Sequence, residues 1–147
     1  LRRRQRQMCI RDSSVGVVVA RELRERVGDL AEILEAGSAP ENVLGKVLSL
    51  RPSHVVIVDA AAHGGEPGSV KLIKPEEVGG MSISTHKLSL KLLCRYLEEV
   101  GGCKTIIVGV QPKDVGFGEG LSEEVETAVE EVVIALSSAI RGLAVRG

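Results

Sequence analysis

A chain of 147 residues makes one domain with a sizeable core. Its Lys+Arg 19 against Asp+Glu 20 leaves a net charge of −1, which argues against a general nucleic-acid surface. Tyr96 and Phe117 are the only aromatic residues, so base-stacking platforms are absent and the core must be Val, Leu, Ile and Ala. The apolar runs are far shorter than a membrane span, and no signal-peptide pattern is present, so no membrane insertion is expected. Cys9, Cys94 and Cys103 form no C-x-x-C pair. Three unpaired thiols without an export signal fit a reducing cytoplasm, as small buried or half-buried groups.

Residues 1–13, LRRRQRQMCIRDS, do not match the remainder of the chain. Arg2, Arg3, Arg4, Arg6 and Arg11 crowd together with no apolar period. The stretch resembles a translated sequencing-adapter tract and reads as foreign or mis-translated; the competing reading is a basic arm for an acidic partner. The helical spacing of Val15, Val18, Val19, Leu23 and Val27 predicts a helix capped by Ser13 or Ser14 and ended by Gly28. An alternating α/β chain needs a strand before it. Met8-Cys9-Ile10 is too short and badly flanked to serve, so the first strand is expected to be missing or replaced.

Leu30 to Ala36 can form a short strand. Pro40 and Glu41 open a helix with Val43, Leu44, Val47 and Leu48 as its stripe, closed by Arg51-Pro52. His54-Val55-Val56-Ile57-Val58-Asp59 is the centre of the chain: a β-branched apolar run covered on both faces, ending in a carboxylate. A small-residue loop comes next, and Glu66-Pro67-Gly68 predicts a type II turn. Ser69 to Ile73 reads as a strand and Pro75 to Val78 as a single helical turn. Thr85 is the expected cap of a helix buried through Leu88, Leu92, Leu93, Tyr96, Leu97 and Val100. Thr105 to Val110 is a second buried strand. Ser122 caps a last helix with the stripe Val125, Val129, Val132, Val133, Leu136 and Ile140, and Gly142 is its expected stop. The fold expected is α/β: a three-layer sandwich with a mostly parallel twisted sheet flanked by helices.

Ligands in open α/β sheets bind past the carboxyl ends of strands. Asp59 and Gln111 come after strands, and His86 opens a helix, so the three can converge on one rim. An Asp, a His and one further oxygen ligand suit a divalent transition metal with open positions. His54, at a strand start, reads as structural. His63 is an outside candidate through its nearness to Asp59. No Gly-x-Ser-x-Gly and no phosphate loop occurs, and Gly116 to Gly120 is a flexible loop rather than a dinucleotide fingerprint.

Several short motifs come in one order: Gly37-Ser38-Ala39-Pro40-Glu41-Asn42, Arg51-Pro52, Val58-Asp59-Ala60, Gly65-Glu66-Pro67-Gly68, Ser84-Thr85-His86, Gly109-Val110-Gln111-Pro112, Phe117-Gly118 and Leu121-Ser122. Together they resemble the hydrogenase maturation endopeptidases of the hydrogenase 3 type. The resemblance divides the chain into a non-native leader (1–13), a protease domain (14–142) and a short tail (143–147). It implies a cytoplasmic, nickel-dependent endopeptidase that removes the C-terminal extension of a [NiFe] hydrogenase large-subunit precursor, the nickel being contributed by that precursor. By the resemblance, Asp59 and His86 contact the metal. A third carboxylate belongs to an acidic, glycine-rich loop after the first strand. Here Asp12 matches its first acidic position and Ser13 occupies the metal-binding one, a departure that bears on metal affinity. Gln111 and Glu41 are candidates for holding the substrate, and no catalytic nucleophile is indicated. The alternative is a non-catalytic α/β binding module for a nucleotide or protein partner, which fold alone does not exclude.

Overall fold

The computed structural model describes residues 5–9, 14–35, 41–61, 63–80, 90–113 and 121–146. In chain order these form β1 (Gln5–Cys9), α1 (Ser14–Val27), β2 (Glu32–Glu35), α2 (Glu41–Leu50), β3 (His54–Ala60), β4 (Val70–Ile73), a 3-10 helix (Pro75–Gly80), α3 (Leu90–Gly101), β5 (Lys104–Val110) and α4 (Glu123–Arg146). The strands make one five-stranded sheet in the order β2-β1-β3-β5-β4. All pairs are parallel except β4 with β5. The expected sandwich is what the chain builds.

Alternation along β3 explains the layers. Val56, Val58 and Ala60 pack with α1 and α4 on one face. Val55, Ile57 and Ala61 pack with α2 and α3 on the other. A strand covered on both faces favours apolar residues, in keeping with the run from Val55 to Val58, which carries no polar residue. In α1, Val15, Val19, Ala20, Leu23 and Val27 are buried against α4 and the sheet. Leu23 is wholly buried, so Leu23→Ala costs about 2–5 kcal/mol. Arg24 ties α1 to β2 through a 2.6 Å ion pair with Glu35.

Four expectations need correction. The first strand is not missing, which leaves the replaced half of that expectation: Gln5–Cys9 occupies the first-strand place, in register with both β2 and β3. Its polar composition hides it. Parallel pairing uses backbone groups, which any residue but proline supplies in full. The expected α3 stripe holds at Leu93 and Leu97, but Leu92, Tyr96 and Val100 are exposed and Cys94 is buried in their stead. Leu88 and Thr85 lie outside the described residues. Gly142 does not stop α4, which runs on to Arg146. A helical glycine costs only about 1 kcal/mol, and Arg141 Nη2 donates to the carbonyl of Arg26 at 3.2 Å, tying this end of α4 to α1. Ser122 caps α4 with its backbone only: its carbonyl accepts from the N–H of Glu126 at 2.8 Å, while its hydroxyl has no hydrogen bond among the described residues.

Candidate functional site at the carboxyl edge of the sheet

The sheet order contains a switch point. From β1 the chain winds through α1 to β2 on one side; from β3 it reaches β5 on the other. In such sheets the crevice lies beyond the carboxyl ends of the two strands where the winding reverses. Those strands are β1 and β3, and Asp59 stands near the end of β3. It has the parity of Val55 and Ile57, so it belongs to the α2 and α3 face. Its side chain is fully buried, and Oδ1 accepts the N–H of Ala60 at 2.8 Å.

The helices direct their N-termini to the same edge. α3 ends at Gly101 and enters β5 at Lys104. Its 12 residues rise about 18 Å, close to the length of β5, so α3 starts level with the strand ends. His86 lies outside the described residues. Asp12 and Ser13 also lie outside the described residues, directly before α1. Glu41 is the first residue of α2. Connectivity therefore brings Glu41, Asp59 and Gln111 to one edge. Among the described residues no group of three or more His, Cys, Asp and Glu side chains is placed to hold a metal.

Gln111 has a role that its sequence position did not disclose. Its Oε1 accepts the N–H of His63 at 2.8 Å and that of Gly64 at 3.1 Å. Its backbone N–H donates to Ser69 O at 2.9 Å, and its carbonyl accepts from Gly68 N at 2.8 Å. One residue thus braces both ends of the loop after Asp59. The type II turn is present as expected: Ser69 N donates to Glu66 O at 2.9 Å, and Gly68 has φ +83°. A Cβ at Gly68 would also lie 2.5 Å from the carbonyl oxygen of Glu124, so glycine lets the turn sit on the start of α4. Lys113 pairs with Glu124 at 3.0 Å, and that hydrogen bond holds the Glu124 carboxyl below its ordinary range. His63 directs Nε2 toward Ser69 O at 3.3 Å, inside the same loop. His54 lies at the opposite end of β3, where its Nδ1 meets Ser53 Oγ at 2.9 Å, in keeping with a structural role.

Cys94 and Cys103 are both buried and free. Burial pushes the Cys94 thiol up to about 11 and that of Cys103 upward as well. They are packed groups, as expected; the side chain of Cys9 lies outside the described residues. No described helix is long and apolar enough to cross a membrane.

Comparison with known proteins agrees with this geometry. The hydrogenase maturation protease family, HycI, matches residues 17–139. A Methanocaldococcus jannaschii protein named as a candidate hydrogenase maturation protease is 31% identical over 140 residues, covering 90% of this chain and 82% of its own. The hydrogenase 3 maturation protease of Escherichia coli K12 is 37% identical over 101 residues, covering 68% of this chain and 64% of its own. The crystal structure of the [NiFe] hydrogenase maturation protease HycI from Thermococcus kodakarensis superposes with a TM-score of 0.81 at 32% identity, covering 93% of this chain and 92% of that one. These matches stand against the binding-module alternative: the chain belongs to the hydrogenase maturation protease family, a family of endopeptidases.

Proposed function

We propose that this protein removes the C-terminal extension of a [NiFe] hydrogenase large-subunit precursor in the cytoplasm, and that Asp59 and His86 read the nickel already loaded into that precursor. The observation that carries the reading is Asp59, a buried carboxylate near the end of β3 at the switch point of the sheet. A carboxylate and an imidazole suit nickel and leave positions open for the precursor's own ligands. Metal that arrives with the substrate needs fewer protein ligands than a resident ion. Its charge would polarise a carbonyl or a water next to it. Gln111 contributes by fixing the loop beside Asp59, and Glu41 by its place at the same edge. Ser13 stands where the family pattern has a third carboxylate. On this reading residues 1–13 are a foreign leader, of which Gln5–Cys9 fills the first-strand place.

The test is direct. The chain is incubated with nickel-loaded and nickel-free precursor, and the intact mass of the large subunit is tracked over time. Loss of a C-terminal peptide from the loaded form only, abolished by Asp59→Asn and by His86→Gln and accelerated by Ser13→Asp, is expected. Equal cutting of both forms, or parental rates in Asp59→Asn and His86→Gln, contradicts the reading.

A further inference from the structure

We infer that the free edge of β4 is the docking rail for the precursor's C-terminal segment, which adds to the sheet there as one more strand. The inference rests on the processing role above and names the part of the molecule that holds the peptide.

Among the described residues β4 pairs with β5 alone, so its other edge is the outer edge of the described sheet. The register fixes which groups face outward. Val70 lies opposite Val110 and Lys71 opposite Gly109. Gln111 directs its N–H to Ser69 O at 2.9 Å and accepts Gly68 N–H at 2.8 Å, whereas Val110 O turns the other way to Ala61 N, so Gly109 faces β4 again, opposite Lys71. Hydrogen-bonded pairs alternate along an antiparallel ladder. Lys71 and Ile73 therefore direct their backbone groups at β5, while Val70 and Leu72 direct theirs away from it. Among the described residues no hydrogen bond meets the N–H or C=O of Val70 or Leu72. The same two side chains stay 40% and 62% exposed, although both are apolar. A bare backbone edge with apolar side chains at alternate positions is what strand addition uses: main-chain bonds give affinity, and alternate side chains give selection.

The occupant is set by where the edge begins. Asp59 pairs with Gly109, and Gly109 pairs with Lys71, so Lys71 is level with Asp59 across two strand spacings. That is about 10 Å, and an added strand lies about 14 Å away. A peptide whose reacting bond sits at Asp59 reaches the β4 edge within about five extended residues. The rail is continuous with the site and begins beside the Gln111-braced loop. An extended tail attached to the precursor fits it; a folded surface would not enter a ladder edge.

The Leu72 N–H points outward, so Leu72→Pro removes a donor to the tail and spares the bonds to β5. Leu72→Lys keeps the backbone and places a charge on the same edge. With nickel-loaded precursor, both should raise KM about tenfold, the worth of one or two lost hydrogen bonds and an apolar contact, and leave kcat near the parental value. Val70 and Leu72 amides should slow in hydrogen exchange when intact precursor is added, and not when precursor lacking its extension is added. Parental KM in Leu72→Lys, with no slowing at Val70 and Leu72 while the parent still processes precursor, overturns the rail and leaves the processing role standing. Absence of processing by the parent removes the role itself. Slowed exchange without precursor, in a dimer that Leu72→Lys makes monomeric, overturns the inference by assigning the edge to a second copy of this chain.

Discussion

Gln111 shows how a residue can be placed correctly from the sequence and still carry a task the sequence does not disclose. The sequence puts it after a buried strand, where substrate contacts are common. The structure commits its side-chain oxygen to the N–H groups of His63 and Gly64. Gln111→Leu leaves both donors without that acceptor, at a cost of about 1 kcal/mol. We expect a lower midpoint in urea unfolding and a loss of processing activity larger than the stability change explains. Unchanged activity in a folded Gln111→Leu protein would separate the loop from the site. The thiols give a second expectation at this scale. Cys94 titrates near 11 when folded, because burial disfavours its thiolate. An unfolded thiol titrates near 8.5. Between these values the unfolded state holds fewer protons, so stability is full below about pH 8.5 and falls as pH rises toward 11. Native protein should leave Cys94 and Cys103 unmodified by a thiol reagent at pH 8, and denatured protein should expose both. Their burial was legible, since free cysteine is commonly a small core residue.

At the scale of elements, legibility tracked hydrophobic period. β3, β5, α1 and α4 announce themselves through unbroken or periodic apolar residues, and their buried positions agree closely with the expected stripes. β1 did not, because Gln5, Arg6 and Gln7 carry no period that a reading of side chains can detect. Its place is set by β2 and β3, whose inner edges need a parallel partner. α3 is legible in part, at Leu93 and Leu97. Its many leucines allow two overlapping stripes, and only contact with α2 and the sheet selects Leu93, Cys94 and Leu97 over Leu92, Tyr96 and Val100. The middle of a sheet covered by helices on both faces favours apolar residues. Replacing Gln5, Arg6 and Gln7 together by Val, Ile and Val should therefore raise Tm by several degrees, for a gain of about 1–2 kcal/mol. An unchanged or lower Tm in a calorimetric scan would show that this tract does not act as the central strand.

Across the whole molecule, the proposed function uses the edges of the sheet. One end of the sheet carries Asp59 and the starts of four helices, and the outer side carries β4. The strand-end places of Asp59 and Gln111 are legible in the sequence. The switch point is not, because it needs the strand order, and neither is the free edge, which needs the register. The lowered carboxyl of Glu124, held by Lys113, belongs to this scale because it fastens the rim loop to α4. Its contribution is present above the ordinary carboxyl range and lost as pH falls through its depressed folded value, so Lys113→Ala should flatten the acid limb of the stability profile.

The central claim is that a strand-end carboxylate and a histidine ahead of α3 meet around one ion. Soaking crystals of the protein with cadmium as a nickel surrogate, and locating the metal by its anomalous signal, tests this most directly. The account predicts a single site with an oxygen of Asp59 and a ring nitrogen of His86 both bonded to the ion, lost in Asp59→Asn. An ion bound elsewhere, or Asp59 and His86 too far apart to share one, would contradict it.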